Sequence, residues 1–110
     1  AALVSFNKAL RKMPNHRGAL MGRAIVFIRT NKLRMADAEL THLIDFLKKS
    51  LALDDATGRG TLAAAYANRG IVRDREGRYK KALADYIKAL NTDEDPLSGP
   101  GILEKIVYGT

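Results

Sequence analysis

The chain has 110 residues, of which 46% are hydrophobic and 28% charged; it suits one folded domain with a modest core, and disorder is not the default reading. With no cysteine it can form neither disulfides nor zinc–thiolate sites, and it has no thiol for catalysis. The formal charge of +7 (19 Lys and Arg against 12 Asp and Glu) favours acidic partners in general, but aromatic residues are only 6% and the basic residues are spread along the chain, so it reads as a basic surface rather than a nucleic-acid footprint.

No apolar run is long enough to cross a bilayer, and no secretory signal pattern stands at the start, so a membrane partner is not expected and a cytoplasmic location is. The chain opens on Ala1-Ala2-Leu3 without Met, which reads as a piece excised from a longer protein.

Six helical segments are expected, at about 2–13, 17–30, 33–53, 59–76, 79–92 and 101–109, with no strand alternation between them. The first contains Ala2-Leu3-Val4-Ser5-Phe6-Asn7-Lys8-Ala9-Leu10. That run matches Ala82-Leu83-Ala84-Asp85-Tyr86-Ile87-Lys88-Ala89-Leu90 in the fifth segment at Ala, Leu, the aromatic, Lys, Ala and Leu. The second carries Leu20, Ala24, Phe27 and Ile28 on one side and is broken by Asn31-Lys32.

The third is long, with Leu33, Ala36, Leu40, Leu43 or Ile44, and Leu47 on one stripe. A weaker copy of the repeated helix is read there from Leu43-Ile44 through Leu47 to Ser50-Leu51 and Asp54. The fourth carries Leu62, Tyr66, Gly70 and Ile71, with Thr57 or Thr61 expected to cap its start and Gly77, in positive φ, to close its end. The fifth carries Ala82, Leu83, Tyr86, Ala89 and Leu90 on one stripe; Pro96-Leu97-Ser98-Gly99-Pro100 then reads as a loop. None of these short helices can bury its stripe alone, so they must pack on one another, small residues admitting a neighbouring helix and large ones filling the space beside it.

The polar residues offer no catalytic constellation. His16 reads as part of a turn and His42 as a solvated side chain, and no HExxH spacing exists. Gly58-Arg59-Gly60 reads as a flexible connector and N-terminal cap rather than a phosphate loop, because no Lys-Ser/Thr pair follows it and no strand precedes it. Asp54-Asp55 and Asp93-Glu94-Asp95 stand where helices end and read as solvated. Ser5, Ser50 and Ser98 lack any activating motif. No enzyme activity, cofactor or metal is therefore expected. The basic cluster Arg73, Arg75, Arg78, Lys80 and Lys81, interrupted by Asp74 and Glu76, reads as a solvated turn with local ion pairs.

Residues 63–96 resemble a tetratricopeptide repeat, with Tyr66, Arg69-Gly70, Ala82, Tyr86 and Ala89 at the matching places and Gly77 and Tyr79 at the turn. Ala2, Phe6, Ala9 and Pro14 look like the second helix of an earlier repeat. Leu20, Ala24 and Phe27 look like the first helix of a middle one, and Ile106, Tyr108 and Gly109 like the opening of a further one. Arg73 departs from the pattern, which usually has an aromatic there. The middle repeat is longer than usual, with extra residues around 33–38 and 56–60, the first read as a longer second helix; that longer period is also the one of HEAT-type repeats.

The resemblance implies an all-α fold of antiparallel helix pairs stacked as a short right-handed superhelix, an α-solenoid. It divides the chain into a half repeat at 1–16, an extended repeat at 17–57, a repeat at 58–96 and the start of another at 97–110. It also implies a concave groove lined by Met21, Gly22, Ile25, Ile28 and Arg29 from the middle repeat and by Ala64, Ala67, Asn68, Ile71, Asp74 and Arg75 from the next. The expected function is a non-catalytic scaffold that takes a protein or peptide segment in this groove, the apolar part near Ile25 and the polar end near Asn68 and Arg75. Asn68 matches one position of the family's carboxylate clamp, but Met21 and Ile25 stand where its Lys and Asn would be, so chaperone-tail binding is not expected. Unpaired apolar faces at both ends imply self-association through the terminal helices or coverage by flanking repeats. The alternatives are a basic helical-repeat module binding nucleic acid and a regulatory fragment of a larger enzyme.

Overall fold

A computed structural model describes residues 2–51 and 55–92. The described residues form five helices and no strand: α1 (Ala2–Lys12), α2 (Arg17–Arg29), α3 (Leu33–Ser50), α4 (Ala56–Arg75) and α5 (Tyr79–Thr92). The all-helical expectation holds for them. The segment expected at 101–109, the loop from Pro96 to Pro100, Asp54 and the Asp93-Glu94-Asp95 run lie outside the described residues.

Side chains at the helix starts explain where two of the helices begin. His16 Nδ1 accepts from the amide of Ala19 at 3.1 Å and so caps α2. Asp55 Oδ1 accepts from the amide of Gly58 at 2.7 Å and so caps α4. The cap of α4 is thus Asp55 and not Thr57 or Thr61. The Thr61 hydroxyl instead donates to the Thr57 carbonyl one turn back, a bond available to a threonine already inside the helix.

The turns from α2 to α3 and from α4 to α5 are copies of each other. In one, Asn31 has φ of 59°; in the other, Gly77 has φ of 78°, the left-handed conformation that reverses the chain after a helix. The amides of Asn31 and Gly77 donate to Ile28 and Asp74 at 3.1 and 3.0 Å. Those of Lys32 and Arg78 donate to Phe27 and Arg73 at 2.7 and 2.8 Å.

Side chains repeat as well. Arg23 grips Glu39 with two nitrogens, and Arg69 grips Asp85 in the same fork, the partners standing 16 residues apart in both cases. All these correspondences fall at one constant offset along the chain, which pairs Leu20 with Tyr66, Ala24 with Gly70, Ala36 with Ala82, Leu40 with Tyr86 and Leu43 with Ala89.

This register corrects the sequence reading of the middle copy. Its repeated helix begins its match at Ala36, two helical turns before Leu43. A shift of two turns nearly restores the phase of a helix, and the apolar stripe of α3 is continuous, so both registers look alike in sequence. The added length is also elsewhere than 33–38. Because the turns match, the extra residues of α3 (18 against 14 in α5) lie at its C-terminal end, and α4 begins early, at Ala56.

Successive helices pack on one another in order, α1 on α2 through to α4 on α5, and α2 also touches α4. The core lies where α2, α3 and α4 meet, around the fully buried Leu20, Leu40, Leu43, Ile44, Leu47 and Val72. Burial of each such side chain stabilises the fold by about 1.5–3 kcal/mol. Asp85 is only 1% exposed, yet both of its oxygens are engaged: Oδ2 accepts from Arg69 Nε at 3.0 Å and Arg73 Nη1 at 3.1 Å, and Oδ1 from Arg69 Nη2 at 2.8 Å. Arg69 also donates to Thr41 Oγ1 at 3.1 Å, and Arg73 to Asp37 Oδ2 at 3.2 Å, so the network ties α3 to both α4 and α5.

Candidate partner-binding groove

Helices α2 and α4 run side by side in the same direction. Their first turns are joined by Arg17 Nη1 and Asp55 Oδ2 at 3.1 Å, and further along Asn68 Nδ2 donates to Met21 Sδ at 3.6 Å. The Asp55 carboxyl is held below its ordinary pKa, first by the Gly58 amide and then by Arg17, so the ion pair at this end is charged at neutral pH.

Between the two helices lies an open groove of about 530 Å³. Arg17, Gly18, Met21, Gly22 and Ile25 of α2 form one wall; Thr57, Gly60, Thr61 and Ala64 of α4 form the other. The spacing of three and four residues on each side is that of one helical face. Glycines and an alanine keep the floor shallow, and Met21 and Ile25 supply the bulk of the apolar surface. A Cβ on Gly60 would meet nothing within 4 Å, so this wall is open to a ligand. Gly22 has a different reason to be small: the Phe6 ring of α1 lies against its backbone.

The structure brings together Met21, Gly22, Ile25 and Ala64 of the expected site and sets Asn68 beside them. Ile71 is half-buried further along α4, and Arg29, Asp74 and Arg75 are exposed. Ile28 is 9% exposed and belongs to the core cluster, as does Ala67 at 5%; neither lines the groove. Arg17, Gly18, Thr57, Gly60 and Thr61 were not among the residues expected. The signal for them was available, since stepping back three and four residues from Met21 and Ala64 reaches four of them, and stepping back seven from Ala64 reaches Thr57.

The basic cluster resolves into two kinds of residue. Arg73 and Arg78 are drawn into ion pairs with distant partners: Arg73 with Asp37 and Asp85, Arg78 with Asp37 at 3.1 Å. The pairs are therefore mainly between helices rather than local to the turn, although Arg78 also reaches Glu76 at 3.3 Å. Arg75, Lys80 and Lys81 remain exposed.

A second groove of about 500 Å³ lies on the other side of α2, between α1 and α3, with Leu3, Phe27, Met35 and Ala38 as its apolar part. Arg23 spans it, donating to Asn7 Oδ1 at 3.0 Å and to Glu39 Oε1 at 2.9 Å. The carboxylate hydrogen bond raises the Arg23 pKa further, so its charge is permanent. On α5, Tyr79, Leu83, Ile87 and Leu90 form an exposed apolar stripe, with Leu83 60% exposed.

Among the described residues no group of three or more His, Asp or Glu is placed to hold a metal ion, and no helix is long and apolar enough to cross a membrane. His42 Nε2 lies 3.0 Å from Asn15 Oδ1 at the surface. No protein-family model matches the chain, and a search of curated proteins finds no match to it.

Proposed function

We propose that this chain is a non-catalytic helical-repeat scaffold of the tetratricopeptide kind, and that the groove between α2 and α4 takes a segment of another protein. One observation carries the reading: Met21, Ile25 and Ala64, which come from two separate stretches of sequence, meet across two parallel helices around a groove that the described side chains leave open. Its volume falls within the few hundred to about 1,000 Å³ of sites that hold a ligand's side chains. The copied turns and the copied Arg–carboxylate forks support a solenoid of repeated hairpins, in which the first helix of each pair lines the concave side. An extended segment would lie along the groove with an apolar side chain against Met21 and Ile25, and Asn68 would meet its backbone.

Photo-crosslinking tests this directly. A benzophenone side chain placed at Ile25 should capture a distinct protein from native host lysate. The same group at Lys48, an exposed position on α3, should not capture it. Identical adducts from both positions, or none from Ile25 while the variant is folded by circular dichroism, would contradict the groove assignment.

A further inference from the structure

Among the described residues, α5 packs on α4 alone, and its other face is open. Leu83, Ile87 and Leu90 are 60%, 48% and 40% exposed there. The same places are covered on α1 and α3. The match of Ala2–Leu10 to Ala82–Leu90 sets Asn7 and Leu10 at the places of Ile87 and Leu90. The register of the copied turns sets Asp37, Thr41 and Ile44 at the places of Leu83, Ile87 and Leu90.

In both cases the next helix of the chain does the covering. Over α1 lies α2: Arg23 donates to Asn7 Oδ1 at 3.0 Å, and Leu10 is buried. Over α3 lies α4: Arg69 donates to Thr41 Oγ1 at 3.1 Å, Arg73 donates to Asp37 Oδ2 at 3.2 Å, and Ile44 is 2% exposed. Arg23 and Arg69 are themselves a matched pair, so one packing geometry is used twice. On α5 its chemistry changes. Ile87 stands where Asn7 and Thr41 accept from an arginine, and Leu83 stands where Asp37 holds Arg73. An arginine brought against this row would be left without an acceptor, so the helix that fits it carries apolar residues instead.

We propose that residues 102–108 of this chain are that helix and cover the row of Leu83, Ile87 and Leu90. Ile102, Leu103, Ile106 and Val107 share one face at helical spacing, and no arginine stands anywhere in 93–110. The stretch 93–101 is longer than the 51–55 connection that leads from α3 to α4, so it is long enough to turn the chain back. Charge agrees as well. The stretch 93–108 has Asp93, Glu94, Asp95 and Glu104 against a single Lys105, whereas the exposed charges of α5 are Lys80, Lys81 and Lys88. A second copy is a poorer occupant. One row on one helix falls short of the roughly 800 Å² per partner of a stable interface between chains. A tethered segment needs less area, because its effective concentration at the face is high. The proposal does not depend on the α2–α4 groove.

The chain has no cysteine, so a thiol introduced by Ile87→Cys reports on this face alone. Its reaction with a maleimide should be about tenfold slower than in a chain that also carries Ile106→Asp. Ile87 is exposed on α5, so its substitution leaves the helices folded, as circular dichroism would verify. The wild-type chain gives a second measurement that needs no variant. Methyl Overhauser contacts should join Ile87 to Ile106 or Val107, and they should vanish from isotope-filtered spectra of mixed labelled and unlabelled chains, which retain only contacts between copies. Equal thiol rates without those methyl contacts would overturn the proposal. Protection that rises with chain concentration, with the contacts kept in the filtered spectra, would give the face to a second copy and overturn it too.

Discussion

Asp85→Ala is expected to destabilise the fold by about 3–5 kcal/mol, the largest effect of any single polar substitution among the described residues. Asp85 is 1% exposed and neutralises Arg69 and Arg73 at once, through contacts of 2.8 to 3.1 Å. Its removal leaves one buried and one half-buried guanidinium without their shared carboxylate, and the cost of that unpaired charge exceeds the worth of the ion pair itself. A small domain has about 5–15 kcal/mol in total, so the variant should be close to unfolding at physiological temperature. Urea denaturation of wild type and variant measures the loss. Replacing the pair together, as Asp85→Leu with Arg69→Met, should cost much less than Asp85→Ala, because no charge is then stranded. A loss below about 1 kcal/mol for Asp85→Ala would mean that the site is open to water and the network is only a surface one.

Gly22→Ala should also destabilise, by about 1–3 kcal/mol, against the direction that helix propensity alone gives. In an exposed helix, glycine to alanine gains about 0.8–1.0 kcal/mol. Here a Cβ would stand 2.3 Å from the Phe6 ring, so either the ring or all of α1 must move. Gly70 has the same relation to the Tyr86 ring, at 2.6 Å, where α4 meets α5. The double variant Gly22→Ala with Phe6→Leu should recover part of the loss, since a leucine can yield where a ring cannot. Thermal melts of the two variants decide it; a higher melting temperature for Gly22→Ala would show that α1 does not press on α2 in solution.

These two sites mark how far the sequence could be read. The helices were legible because each carries an apolar stripe at helical spacing, and Gly77 was legible as a helix end because few other residues adopt its φ of 78° at so little cost. Asn31 takes the same conformation with a side chain, and so announced only a break. The forks of Arg23 on Glu39 and Arg69 on Asp85 were not legible. Each joins two helices, and which arginine of a basic surface turns inward depends on the relative rotation of the pair.

The groove was legible in part for the same reason. Met21, Ile25 and Ala64 lie at the middle of their faces, where an error of one residue in phase does no harm. Ile28 and Ala67 lie at the edge, and there the same error moves a side chain from groove to core. Asp55 caps α4 where Thr57 and Thr61 are the expected caps; its distance of three residues from Gly58 suits a side chain reaching the free amides of a first turn.

The central claim, that a partner segment lies between α2 and α4, is tested most directly by mapping amide chemical shifts in an isotope-labelled chain as a peptide selected on the wild-type chain from a random library is added. The largest changes should fall on residues 17–29 and 57–75, centred on Met21, Ile25, Ala64 and Asn68, with α5 nearly still. Changes concentrated instead on the exposed stripe of Tyr79, Leu83, Ile87 and Leu90, with Met21 and Ala64 unmoved, would contradict it.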